Sequence, residues 1–418
     1  MRLKLPVPNA MPVYAKQFIG LLTLSYYMYA SEDLSQTITS LNERIATLEN
    51  QRSTGILHLS SSDTTMFLGG RIALDTIYLS DANGKEGGAN NNDQFFGASY
   101  IPLDSQGEKD ELTLSARNSK FWIKTRTQQE QGEPLMTLLE FDFWGSSGNE
   151  RNTNSHNLRL RHAYLLYNGW TIGQTNSLFI GTSKPHTLLA PVNNILMRQP
   201  LISYKHKFSQ SSLALSLEEP ESLLLTPEGD KITINDDRLP DVVLRYEYHQ
   251  PLYAYSLSLL ERQLRINQEK GVSTEADTLG YGVNMTGHLT IYQNDTISWG
   301  ASWGKGIGRY LATGFFPDAI ISENETLKAQ KSWGGDIAYE HWLRNNLRFD
   351  IALGFIGTDN LLDDPTLDQS SYSEHFGLQY SPLPKLLIAT EYIHAQRTLE
   401  DKSNHHLNRL YLRVSYDF

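Results

Sequence analysis

From about residue 66 to the C terminus, apolar and polar residues alternate with a period of two, in one run after another. The last residues show the pattern most simply: Leu410, Leu412, Val414, Tyr416 and Phe418 fall on one side, Tyr411, Arg413, Ser415 and Asp417 on the other. Successive side chains of a strand point to opposite faces, so this is a strand between two unlike environments. Residues 279–291 repeat it, with Leu279, Tyr281, Val283, Met285, Leu289 and Ile291 opposite Gly280, Gly282, Asn284, Thr286, His288 and Thr290. Strands are expected at 66–79, 111–126, 135–145, 157–167, 170–182, 200–208, 212–218, 240–249, 252–266, 277–292, 296–305, 334–342, 347–356, 371–380, 385–397 and 406–418. That is roughly sixteen, an even number.

The connections alternate too. Tight turns are expected at Asn168-Gly169, Ser209-Gln210, His249-Gln250-Pro251, Gln293-Asn294-Asp295, Arg344-Asn345-Asn346 and Ser381-Pro382-Leu383-Pro384. Long connections fall between them, near 80–110, 146–156, 183–199, 219–239, 306–333 and 357–370. Short turns at one end and long loops at the other are the asymmetry of a transmembrane antiparallel β-barrel, and the phase leaves both chain ends on the periplasmic side. A soluble sandwich has no reason to segregate loop length. The Gly/Asn/Asp stretch at 81–93 reads as a loop rather than a domain boundary.

Composition sharpens this picture. The 418 residues hold no Cys, 16 Pro, 22 Tyr, 15 Phe and 7 Trp. Tyr and Trp suit the two water-lipid boundaries of a barrel, although a Tyr-rich soluble β-protein shares the composition. Mean hydropathy of -0.41 excludes a polytopic helical membrane protein and leaves a barrel open, because half of each spanning strand faces water. A net charge of -11 makes nucleic acid a poor partner. A chain that stops on an aromatic at the end of an alternating strand looks like the C-terminal signal read by the barrel-assembly machinery of the Gram-negative outer membrane.

The N terminus is different in kind. Arg2, Lys4 and Lys16 precede a hydrophobic stretch of about 13 residues ending near Tyr29-Ala30, too short for a transmembrane helix, which needs about 20. Residues 1–30 read as a signal peptide, with Met28 where a small residue is expected and an uncleaved anchor as the alternative. Over 31–54, Leu34, Ile38, Leu41, Ile45 and Leu48 recur at heptad spacing, with Arg44 and Glu49 flanking the seam. A short periplasmic coiled coil in an oligomer fits this spacing. So does an amphipathic helix packed on its own protein. Residues 55–418 form the barrel.

Six segments carry a family resemblance: Gly70-Arg71-Ile72-Ala73-Leu74-Asp75; Leu114-Ser115-Ala116-Arg117-Asn118-Ser119-Lys120-Phe121; Glu140-Phe141-Asp142-Phe143-Trp144-Gly145; Leu158-Arg159-Leu160-Arg161-His162-Ala163-Tyr164; Gly173-Gln174-Thr175; and Arg198-Gln199-Pro200. In these, and in their order, the chain resembles the DcaP-like family of outer-membrane porins. Beyond about residue 205 the similarity is one of pattern, and the loop at 186–197 departs from it. The resemblance implies a homotrimer, an N-terminal coiled coil, a sixteen-stranded barrel and diffusion of small anionic solutes such as dicarboxylates.

The residues themselves suggest how. On one strand Leu158, Leu160, His162 and Tyr164 alternate with Arg159, Arg161 and Ala163. Arginine facing lipid costs about 2–4 kcal/mol at the midplane, so the arginine face turns to the lumen. The same reasoning sends inward Arg71, Asp75, Lys120, Lys124, Arg126, Glu140, Asp142, Lys205, Lys207, Arg245, Glu247, Arg348, Asp350 and Arg413. Arg159, Arg161 and Arg198 are the main candidate anion contacts, because a planar guanidinium holds both oxygens of a carboxylate; Arg71, Lys120 and Lys124 support them. Glu140, Asp142 and Asp75 form an expected opposing acidic wall. The alternative for each is a structural salt bridge within the lumen. The apolar loop 185–200 is expected either inside the pore or at a subunit contact.

Other chemistry is thin. Asp359, Asp363, Asp364 and Asp368 lack EF-hand spacing and read as a solvated loop, and no metal or cofactor is implied. A barrel hydrolase would need more than the adjacent Ser155-His156 or His405-His406, and no G-x-S-x-G elbow occurs. A binding or adhesion barrel with a plugged lumen is the stronger rival to a porin. Outer-membrane lipid and lipopolysaccharide are the expected surroundings.

Overall fold

The computed structural model describes residues 55–58, 63–82, 97–103, 111–146, 152–182, 185, 187–193, 195–267, 275–291 and 295–418. The expected signal peptide at 1–30, the coil at 31–54 and most of the 81–93 stretch lie outside them.

Sixteen antiparallel strands close into a barrel. They are β1 Thr64–Ala82; β2, interrupted, Glu111–Ser115 and Lys120–Thr127; β3 Leu135–Asp142; β4 Arg159–Tyr167; β5 Trp170–Asn176; β6 Arg198–Lys207; β7 Ser211–Glu218; and β8 Asp241–His249. The second half comprises β9 Tyr253–Ile266; β10 Ala276–Thr290; β11 Thr296–Lys305; β12 Lys331–Arg344; β13 Leu347–Asp359; β14 Asp368–Leu383; β15 Leu386–Leu399; and β16 Asn404–Asp417. Each pairs with the next in sequence, and β16 returns to β1 with Arg71 opposite Asp417 and Asp75 opposite Arg413. Every strand expected from alternation is present. The turn expected at 381–384 sits one step later: β14 slips register between Tyr380 and Leu383 and runs on to Leu383. Among the described residues there is no α-helix.

Alternation sets the two faces. Ile72, Leu74, Leu410, Leu412, Val414, Tyr416 and Phe418 lie on the outer surface, as do Leu279, Tyr281, Met285 and Leu289, whereas Asn284, Ser302, Arg409 and Arg413 are buried inside. Aromatic pairs mark the rims: Trp170 with Tyr204 and Tyr248 with Tyr255 at the end with tight turns, Tyr281 with Trp303 at the other. The Asn168-Gly169 turn has φ of 46° and 83°, the left-handed pair a two-residue hairpin requires.

Two long connections turn into the barrel. Residues 177–182, 187–193, 195–197 and 306–316 pack on inward side chains in two apolar clusters, one holding Leu189, Val192, Phe315 and Phe316 against Ile77, Ile393 and Leu407, the other Phe179, Ile195 and Tyr310 against Ala214 and Val243. Ala98 and Ile101 join the first cluster. Beyond the ends of the barrel strands, Ser222–Leu225, Lys231–Ile234, Ala319–Ile321 and Leu327–Ala329 form a separate four-stranded sheet. A buried network ties this cap to the wall: Arg262 lies 3.3 Å from Asp241 and 3.2 Å from Asp318, and the Tyr310 hydroxyl donates to Asp241 at 2.8 Å.

Candidate functional site

The charged wall is built by β2 to β6. Its register brings Lys120 opposite Asp142, and Asp142 opposite Arg159. Arg159 donates through Nε and Nη2 to both Asp142 oxygens at 3.0 and 2.6 Å. Arg161 bridges the two acids, Nε to Glu140 at 2.6 Å and Nη1 to Asp142 at 2.7 Å. Lys120 approaches Glu140 at 3.7 Å. Arg198, at the start of β6, stands within electrostatic reach of Arg161, Arg159, Asp142 and Glu140, and its buried Nη1 has no hydrogen-bond partner. Four cations thus share two carboxylates on one stretch of wall. Glu140 and Asp142 stand beside the arginines, on the neighbouring strand, instead of across the lumen from them.

A bulge shapes this group. Between Glu140 and Phe141 the β3–β4 register shifts, so that Glu140 faces His162 while Phe141 faces Leu160, leaving Arg161 as the extra residue. Strict alternation puts His162 and Tyr164 with the lipid-facing leucines and Ala163 with the arginines. The bulge reverses this: beyond Arg161 it is Ala163 and Leu165 that turn outward, and His162 turns in, its Nδ1 3.0 Å from Thr175 Oγ1. Arg161 and His162 consequently share the inner face.

The remaining candidates are placed elsewhere on the inner surface. Arg71 makes a two-point pair with Asp417, at 2.7 and 3.1 Å. Asp75 is fully buried and holds Arg413 at 2.6 and 3.1 Å, with Asn118 Nδ2 donating at 2.6 Å. Both pairs stitch the β1–β16 seam. Lys124 is exposed and lies over the Trp122 ring, 4.3 Å from its centroid.

The inward loop meets the far side of the barrel, β12 to β15. Leu188 and Leu189 N–H groups donate to Glu391 Oε2 and Oε1 at 2.6 and 3.2 Å. His375 Nδ1 lies 2.9 Å from Glu391 Oε1 and its Nε2 3.0 Å from Ser373 Oγ, which also accepts from Val192 N–H at 2.9 Å. Asn193 Nδ2 donates to Asp336 at 3.0 Å. The described residues 187–193 and 195–197 of the apolar stretch are therefore inside the barrel, the first of the two positions expected for it, whereas 198–200 open β6. Sequence reading missed the Ser373, His375 and Glu391 chain. The spacing of Ser373 and His375 on one strand face, with Glu391 on the next strand of the same hairpin, was the available signal.

Outside the strands, Asp237 accepts from Ser222 Oγ at 2.9 Å and Arg265 N–H at 2.8 Å, and burial pushes its carboxyl up from the ordinary 3.8 to about 6. Among the described residues no group of His, Asp and Glu is arranged to hold a metal ion.

Comparison with known proteins adds to the geometry. A family model described as DcaP outer membrane protein matches residues 13–418. No curated protein matches the chain. Among solved structures, the outer membrane channel DcaP of Acinetobacter baumannii is similar at 19% identity and a TM-score of 0.72, over 87% of this chain and 99% of that one. The anion-selective porin from Comamonas acidovorans aligns at 10% identity and 0.54, over 85% and 100%. The trimer form of Vibrio cholerae OmpT aligns at 10% and 0.53, over 85% and 100%. At such identities the structural likeness speaks to the fold.

Proposed function

Because the chain belongs to the DcaP outer membrane protein family, a family of outer-membrane channels and not of enzymes, we propose that it carries small anionic solutes, dicarboxylates foremost, past the β2–β6 wall. The observation that carries this reading is the surplus of cations there, with Arg198 Nη1 buried and without an acceptor. Arg198 is half-buried and adds a further positive charge to a wall that already holds Arg159, Arg161 and Lys120, which draws a carboxylate in the lumen toward it. Arg161, held by Asp142 and Glu140 through Nη1 and Nε, presents Nη2 to the same solute, and Arg159 adds its charge beside it. Because these acids compete for the donors, the solute is held weakly enough to leave. Lys120, Arg71 and Lys124 extend the positive field.

Reversal potentials across a salt gradient in planar bilayers test the reading. Anion preference and dicarboxylate block of the current, both weakened in Arg198→Ala, are expected; equal permeability to both ions would refute it.

The protein works as a homotrimer in this proposal, with the 31–54 segment as its periplasmic coil, and single insertions should conduct in steps of three. Lys305 and Lys331, cross-strand neighbours beside Trp303 and Trp333, suit the phosphates of lipopolysaccharide, and the alternating β16 strand suits the barrel-assembly machinery. The apolar clusters in the mouth favour a second reading, a plugged binding barrel. A reconstituted protein with no conductance would select it.

A further inference from the structure

The inward loop is fastened to β12–β15 by two kinds of device. One is polar. Glu391 and His375 are fully buried, and the carboxylate gathers two loop N–H groups and the imidazole, while Ser373 takes a third loop N–H from Val192. Backbone amides folded into a barrel need such acceptors, because no strand pairs with them. The other device is steric. A Cβ at Gly354 would sit 2.6 Å from Pro191 Cβ and 3.1 Å from Val192 N, and one at Gly334 would sit 2.2 Å from Asn193 Oδ1. Only glycine lets the loop lie this close to the wall. The arrangement of Ser373, His375 and Glu391 has the order of a nucleophilic triad, but the serine oxygen is covered by Val192 and 1% exposed, so it serves attachment.

We propose that the Ser373, His375 and Glu391 chain, together with the Gly334 and Gly354 receptacle, sets the size limit of the channel by holding the 187–193 segment against β12–β15. These are positioning residues. They act through the loop, and in a ring of sixteen strands they lie across the barrel from the charged wall on β2–β6. Size and charge discrimination are therefore separable: one depends on how far the loop stands from its wall, the other on the cations of the opposite wall. The inference rests on conduction by the channel and holds whatever its ion preference.

The test uses purified full-length protein in liposomes, with swelling rates for uncharged sugars from a pentose to a trisaccharide, and reversal potentials on the same preparations. Glu391→Gln removes one acceptor oxygen and turns a donor toward the loop amides; Gly354→Val wedges the loop from the wall at Pro191 and Val192 and leaves the Glu391 acceptors in place. Both are expected to lower trisaccharide uptake at least about threefold and single-channel conductance with it, because a loop displaced from its wall stands in the lumen, with the anion-to-cation permeability ratio unchanged. Combined, they should give less than the product of the two effects, since both release one loop. An unchanged or raised sugar limit in the folded variants overturns the proposal. Should Glu391→Gln fail to assemble, Gly354→Val carries the same decision. A wild-type channel that conducts without anion preference would sink the anion proposal and leave this one standing.

Discussion

Glu140 and Glu391 both face the lumen, on opposite halves of one continuous sheet. Glu140 accepts from Arg161 and neighbours Lys120, side chains that stay part-exposed to the channel. Glu391 accepts from two backbone amides and His375 under complete cover. The difference lies in the donors. A guanidinium has five N–H groups and can serve a carboxylate of the wall and another from solution together. A backbone amide has one, and here it is spent. Acids that hold arginines therefore leave a site open to exchange, whereas an acid that holds backbone closes one.

The largest expected separation between the two is in stability. Glu391→Ala leaves three buried donors without acceptor and should cost about 3 kcal/mol or more, read as a lowered urea midpoint of the refolded protein. Glu140→Ala should cost about 1 kcal/mol, because Arg161 keeps Asp142 and Lys120 reaches water. Equal losses would break the comparison. Next comes selectivity: Arg198→Ala removes a unit charge acting from roughly 6 Å in water, about 0.7 kcal/mol favouring anions and as much against cations, so the anion-to-cation permeability ratio should fall by up to about tenfold. Asp142→Asn changes the wall in the other sense and should raise the same ratio about twofold. Both effects should shrink from 0.1 to 1 M salt, as the screening length falls from about 10 to about 3 Å.

The smallest effect concerns the cap. Asp237, pushed up to about 6 by burial, binds its proton more tightly folded than unfolded. Its contribution to cap stability is full below pH 3.8, declines as pH rises toward 6, and is lost above. Protease sensitivity of the 226–240 segment should rise across that window in the wild type and stay flat in Asp237→Asn.

Much of the fold was legible because strand pairing in a meander is local. Alternation located all the barrel strands, and loop asymmetry oriented them; the four short strands of the cap lie in stretches expected as loops, 219–239 and 306–333, and are too short to alternate visibly. Lipid exposure of Leu279 or Val414 follows from phase alone, as does the inward turn of Arg413. The phase argument failed at Arg161, where one inserted residue flips everything after it, and a bulge is set by the partner strand rather than by the bulged sequence. Likewise, Glu140 and Asp142 are inward as expected, but whether inward acids stand opposite or beside their bases is a matter of register. The loop was legible as apolar and unsuited to water. Its docking on Glu391, two hundred residues away in sequence, depends on the whole ring being closed, so no window of sequence contains it.

Ring closure brings Gly70 and Phe418 together. Their backbones exchange hydrogen bonds at 3.2 and 3.0 Å, and a Cβ on Gly70 would strike the Phe418 ring at 2.7 Å. The neighbouring pair, Arg71 with Asp417, spans 346 residues of chain, so its contacts contribute nothing until every intervening hairpin has formed. A notch that accepts the terminal ring at one position acts as an end stop. Were the closing strand to slip by one residue, Arg413 would turn to lipid and Tyr416 to the lumen, an error the notch rejects at the moment of joining. A larger residue at position 70 should accordingly leave the hairpins intact and trap the chain as an open, unsealed sheet.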